Sequence, residues 1–139
     1  MELTANALQT VGTFRDILFT DTAVAGNCSM IHREGSGLVT LRGLTNQCRA
    51  RFKVHFGANV AIPTGGTVGP ITVEFSINGE PVEPSTMIST PAAVEEFNNI
   101  SRTIFLNVPS GCCTQISVKN TTADDIEVQN ANLIVERVA

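Results

Sequence analysis

Cys48-Arg49-Ala50-Arg51-Phe52-Lys53-Val54-His55-Phe56 carries small or apolar side chains at its even positions and Arg49, Arg51, Lys53 and His55 at its odd ones. Extended backbone turns successive side chains to opposite faces, so Phe52, Val54 and Phe56 share one face and four nitrogen bases share the other. One face suits a core, and the other is left to meet a partner or solvent. No other part of the sequence alternates so strictly, and nothing comparable repeats at helical spacing. The stretch predicts an all-β sandwich whose function lies in its surfaces rather than in a catalytic pocket.

Working outward, the 139 residues fit one domain, 1–139, with residues 1–13 as an extended N-terminal arm. A chain of this size buries about two thirds of its unfolded surface, so metal or disulfides are not needed for stability. Charged residues make up 16 % and the net charge is -4. A general nucleic-acid binder needs a basic excess to displace counterions from phosphate, which this composition lacks. Low charge suits a subunit that buries part of its surface in an oligomer. No apolar run approaches the roughly 20 residues of a membrane helix, and Met1 to Thr10 lacks a basic start followed by a hydrophobic core. The expectation is therefore a soluble chain that does not engage membranes. Tyr and Trp are absent, and seven Phe residues are the only aromatics.

Short alternating runs separated by Gly, Pro, Asn and Asp predict many strands. These are Phe14 to Thr20, Ser29 to Arg33, Leu38 to Arg42, Arg49 to Phe56, Thr67 to Ile77, Thr86 to Thr90, Arg102 to Val108, Thr114 to Lys119, Ile126 to Gln129 and Asn132 to Val138. So many strands in one small domain require two packed sheets. Asn78-Gly79 signals a tight hairpin turn, with further turns at Pro109-Ser110-Gly111 and Asn120 to Asp125. Pro91 to Phe97 is the only helix-like piece, with Thr90 as cap and Pro91 at the first helical position. Ala58 to Pro70, rich in Gly and Thr, reads as a long loop.

The order of these pieces resembles the tumour necrosis factor-like jelly roll, above all its bacterial and phage versions. Those versions include C-terminal domains of exosporium collagen-like glycoproteins and phage head-fibre or decoration proteins. The resemblance rests on Ile17 to Asp21, Ser36 to Leu41, Val73 to Val82, and Ile116 to Asn120 leading to Ala131 to Val135. It implies a two-sheet antiparallel sandwich that forms a homotrimer, uses no cofactor and is not an enzyme. It implies the surface of a virion as its place, with a capsid or fibre protein as partner, or else a bacterial cell or spore surface. The chain carries no Gly-X-Y repeat, so it does not read as the cap of a collagen stalk. Two functions follow from the resemblance. One is a capsid decoration or head-fibre protein, and the other is a knob of a tail fibre or surface filament that binds a receptor or cell-surface glycan.

In jelly-roll order the strands beginning at Cys48 and Cys113 start at one pole, and Cys28 lies near it. Cys28, Cys48, Cys112 and Cys113 are thus disulfide candidates, with Cys28 to Cys48 the leading single pairing and roughly 3 kcal/mol as its contribution. Four reduced thiols and a zinc site are the alternatives, the latter lacking any C-x-x-C spacing. The same order makes the Arg49 strand a central strand of an outer sheet. Arg49, Arg51, Lys53 and His55 then form a candidate docking surface, while inner-sheet faces pack around a threefold axis. Phe105, opposite in parity to Ile104, Leu106 and Val108, points out of the core as a candidate oligomer contact.

Little suggests catalysis. Glu95-Glu96 and Asp124-Asp125 are sequence neighbours that diverge in space, unlike opposed acids flanking a bond. His32 and His55 have no nucleophile motif around them, and Gly65-Gly66 lacks the lysine of a phosphate loop. Asp124-Asp125-Ile126-Glu127 matches no established calcium spacing and reads as a solvated turn. Asn27, Asn99 and Asn120 fit the glycosylation acceptor pattern in a chain where chance matches are expected.

Overall fold

The structure, a computed structural model, describes residues 1–43, 48–110 and 113–139. Its strands in chain order are β1 (Glu2–Ala5), β2 (Gln9–Val11), β3 (Asp21–Val24), β4 (Met30–His32), β5 (Val39–Arg42) and β6 (Arg49–Ala61). They continue as β7 (Ile71–Ile77), β8 (Glu80–Pro81), β9 (Met87–Ser89), β10 (Asn98–Pro109), β11 (Cys113–Asn120) and β12 (Ile126–Arg137). One sheet runs β10-β6-β12-β1-β3, with β2 added to β12, and the other runs β4-β5-β11-β7-β8, with β9 added to β7. The pairs within both sheets are antiparallel. The fold is the expected two-sheet sandwich, a jelly roll.

The alternation that opened the sequence builds the centre of the first sheet. Ala50, Phe52, Val54, Phe56, Ala58 and Val60 of β6 are all essentially inaccessible. Arg49, Arg51 and Lys53 stand exposed on the reverse face, and His55 is partly exposed there. Phe56 is the hinge of the packing between sheets: its ring meets Phe19 and Phe75 edge-on, with centroids 6.4 and 6.5 Å apart. Edge-to-face contacts place the positive rim of one ring on the negative face of another.

Several expectations are corrected. The strand at Arg49 does not stop at Phe56 but runs to Ala61, so residues 58–61 are sheet and not loop. Its partner β10 starts four residues earlier than expected, because Asn98 pairs with Val60 along the whole ladder. The two last strands are one, β12, whose register slips between Gln129 and Asn132, with Asn130 at φ 55° absorbing the irregularity. Phe14 to Thr20 is not a strand. Ile17 and Phe19 are fully buried and Leu18 is exposed, which is the alternation of a strand. The segment is instead an irregular arm, hung from Val118 and Ser36 by the N–H groups of Ile17 and Phe19.

Within residues 1–13, β1 sits between β12 and β3 with Leu3 and Ala5 in the core. Pro91 to Phe97 forms bends and a turn in place of a helix. Glu95 lies at φ 59°, its N–H donates to the Ile62 carbonyl, and its carboxylate accepts from Thr64. These non-helical bonds outweigh the capping signal at Thr90 and Pro91. The helical turn found among the described residues is the short 3-10 segment Glu83–Ser85, with Pro84 inside it.

Candidate functional site

The solvent face of the first sheet gathers the chemistry that the sequence singled out. On this face Phe105 of β10 pairs directly with Lys53 of β6, and Lys53 pairs on its other side with Glu136 of β12. One step along, Thr103, His55 and Ile134 form the next row. The His55 Nδ1 lies 2.8 Å from the Thr103 hydroxyl, which fixes the ring against the sheet. A shallow depression of about 270 Å3 lies among Lys53, His55, Thr103, Ile134 and Glu136. Arg51 reaches Asn107 across the same face, with Nε donating to Oδ1 at 3.5 Å.

Phe105 is 63 % exposed and Ile134 37 %. Exposed apolar surface of this kind is a candidate contact site where it is contiguous. Basic residues lie on β6, and acidic residues Glu136, Glu2 and Asp21 lie on β12, β1 and β3. Glu2 accepts from the Asn132 amide at 2.7 Å. The face is therefore basic along β6 and acidic toward β12, β1 and β3, with Phe105 at the outer edge of the basic strand and Ile134 on its inner side. The expectation from strand order places the basic residues on an outer docking sheet, apart from the faces that pack around an axis. The register unites Phe105 and the basic row on one face, because β6 and β10 are neighbours.

Cys28, Cys48 and Cys113 lie at the pole where β6 begins. The Ser110 N–H donates to the Cys48 carbonyl at 3.1 Å, Cys113 pairs with Arg42, and the Arg42 N–H donates to the Ser29 carbonyl beside Cys28 at 2.8 Å. Cys28, Cys48 and Cys113 are exposed, and Cys28 and Cys48 carry free thiols, so the structure does not contain the Cys28 to Cys48 bridge. Cys112 lies outside the described residues, as does Gly111 of the expected turn. His32 is held by an Nε2 contact of 2.9 Å to the Ser36 carbonyl and by an edge contact to Phe19.

At the opposite pole Glu127 of β12 is 9 % exposed, and its Oε2 has no hydrogen-bond partner. Burial, reinforced by the Glu95 carboxylate, pushes the Glu127 carboxyl above its usual range. The Thr64 hydroxyl hydrogen bond is the main cause holding Glu95 below its own. No three His, Cys, Asp or Glu side chains among the described residues are grouped to hold a metal ion. Asn120, one of the acceptor-pattern asparagines, has no exposed surface, and its amide donates to the carbonyls of Val11 and Asp124.

No protein-family description and no curated protein matches the chain. Among solved structures it is similar to the globular domain of zebrafish complement 1qA protein, with a TM-score of 0.59 and 11 % identity over 96 % of this chain and 93 % of that one. That likeness is one of fold. A carbohydrate-binding domain, CBM35 from Cellvibrio japonicus Abf62, aligns over 100 % of this chain and 99 % of its own at 14 % identity, with a TM-score of only 0.41.

Parity in the sequence found Phe105 and the basic row. It missed their adjacency, which depends on strand order. It also missed Phe14, whose exposed ring no strand pattern could place.

Proposed function

We propose that this chain is a non-enzymatic structural domain that assembles as a homotrimer through the solvent face of its first sheet. Its place is the surface of a virion, as capsid decoration or a short head-fibre knob. The assembly reading is carried by one observation: Phe105 stands exposed on the edge strand β10 beside the basic strand β6, and exposed Ile134 lies one row along on β12, across β6 from β10 and next to the acidic residues of β12, β1 and β3. Exposed apolar side chains set among charged ones are the composition of many protein interfaces. Opposite charges at the two sides favour a head-to-tail contact, in which the basic strand of one copy meets the acidic strands of the next. Such a contact closes into a ring when the rotation permits. The virion placement is supported by the resemblance of the strand order to phage decoration and head-fibre domains. Capsid and portal genes beside its own would favour decoration, and tail genes would favour a fibre.

The test is solution mass. Light scattering at micromolar concentration should give three times the 14.8 kDa protomer. Phe105→Arg should give a folded monomer with an unchanged circular dichroism spectrum. A monomeric wild type removes the reading.

A further inference from the structure

Phe14 combines an unfavourable backbone with an exposed aromatic ring. It lies at φ 58°, in the left-handed region that bulky residues avoid, and the residue is 61 % exposed. The conformation is held firmly. The Phe14 N–H donates to the Asn120 carbonyl at 2.7 Å, Arg15 to Gly12 at 3.0 Å, Asn120 to Arg15 at 3.1 Å and Ile17 to Val118 at 2.8 Å. Residues 14–17 thus lie along the far half of β11, past the point where β5 ends at Val39 opposite Ile116. Four backbone bonds hold a strained aromatic residue out in solvent, where a hydrophobic core gains little from it. Strain of that kind persists where orientation of the side chain is used.

The ring lines a groove of about 490 Å3 together with Gln9, Arg15, Asp16, Leu18 and Lys119. Gln9 is locked, its Nε2 donating to the Leu18 carbonyl and its Oε1 accepting from the Leu18 N–H, both at 3.0 Å. Asp16 and Lys119 neutralise one another in an ion pair of 3.0 Å. Arg15 is exposed and makes no ion pair among the described residues, so the groove keeps one uncommitted guanidinium beside one exposed aromatic face.

We infer that this groove binds an acidic saccharide, with a pyranose ring on Phe14 and a uronate carboxylate on Arg15. The C–H face of a pyranose is weakly positive and matches the negative face of the aromatic ring. A guanidinium offers paired N–H donors that fit a carboxylate. The volume falls within the range of small-ligand sites, whereas a specific protein partner covers about 800 Å2 of each surface. The groove lies at the end of β11 away from Cys113, so a copy fixed by its thiol pole presents it outward.

The full chain is titrated with digalacturonate and, separately, with neutral galactobiose, by calorimetry and by amide chemical shifts. Digalacturonate should bind with a Kd of about 0.1–10 mM, at least about fivefold more tightly than galactobiose. Phe14→Ala should lose at least about tenfold in affinity, and Arg15→Gln should bring the two sugars to equal affinity. Phe14→Asn suits the left-handed backbone, so it should melt no lower than wild type while losing binding. Ile88→Ala, on the second sheet, should bind as wild type. Failure of wild type to bind digalacturonate at about 20 mM overturns the inference. So does undiminished binding by Phe14→Ala, or a melting temperature of Phe14→Asn lowered by more than about 5 °C, which would make Phe14 a packing residue.

Discussion

Asn120 shows how much a single side chain can hold in this fold. It closes the turn between β11 and β12: its amide donates to Val11 and Asp124, both at 3.0 Å, and its Oδ1 accepts from the Thr122 N–H at 2.9 Å. Asn120→Ala removes three bonds and leaves their partners without replacement in a space closed to water. The expected cost is about 2–4 kcal/mol. Urea unfolding should show a lower midpoint with an unchanged slope, and a shift under about 0.5 kcal/mol would mean that water replaces the amide.

Glu127 carries the opposite lesson. Its raised carboxyl holds protons in the folded state that the unfolded chain releases, so folding stability falls as pH rises from the ordinary carboxyl range through the raised folded value. Glu95, lowered by Thr64, contributes stability above the ordinary range that is lost as pH falls through its folded value. Glu127→Gln should therefore raise the melting temperature at pH 7, with the advantage shrinking toward about pH 4 as the native carboxyl protonates. A gain that persists unchanged at low pH would show that charge is not the cause. Neither residue's role was legible in the sequence, because their pairing joins a turn to a strand thirty-two positions away.

Among the elements, what the sequence could reveal depended on period and local turn chemistry. β6 was legible because strict alternation has one structural solution, and its length was underestimated only because Gly57, Ala58 and Asn59 do not look like strand residues. They are carried by ladders on both sides, where tertiary pairing overrides propensity. β12 read as two strands because Asn130 resembles a turn, yet its positive φ marks a bulge inside one strand. The hairpin at Asn78-Gly79 was legible from two residues. Asn78 lies at φ 51° and Gly79 at φ 89°, the signs that a type I′ turn requires. A Cβ on Gly79 would meet nothing within 4 Å, so Gly79→Ala isolates backbone strain from packing. The variant should lose about 1 kcal/mol of stability with no change in oligomeric mass. A neutral result would show that β7 and β8 tolerate another turn type.

On the scale of the whole molecule, the sequence revealed that two sheets pack but not which face of which strand lies beside which. That information resides in long-range pairing: β10, β6 and β12 are neighbours although separated in the chain, and only their adjacency assembles the Phe105 row. If that row is buried between copies, assembly and folding are linked, because each copy in the oligomer hides surface that the unfolded chain exposes. The melting temperature of wild type should then rise with protein concentration, since dilution favours separated chains. Phe105→Arg should melt at a temperature independent of concentration, because its unfolding involves one chain only. The measurement is a calorimetric series over about 1–100 μM, a range that brackets the affinity of most stable oligomers. A concentration-independent wild type that is also monomeric by mass would leave Phe105 and Ile134 as solvated residues of a single-copy sandwich. A concentration-dependent wild type whose Phe105→Arg variant behaves identically would place the contact elsewhere, with exposed Ile31 and Ile88 of the second sheet as the next residues to change.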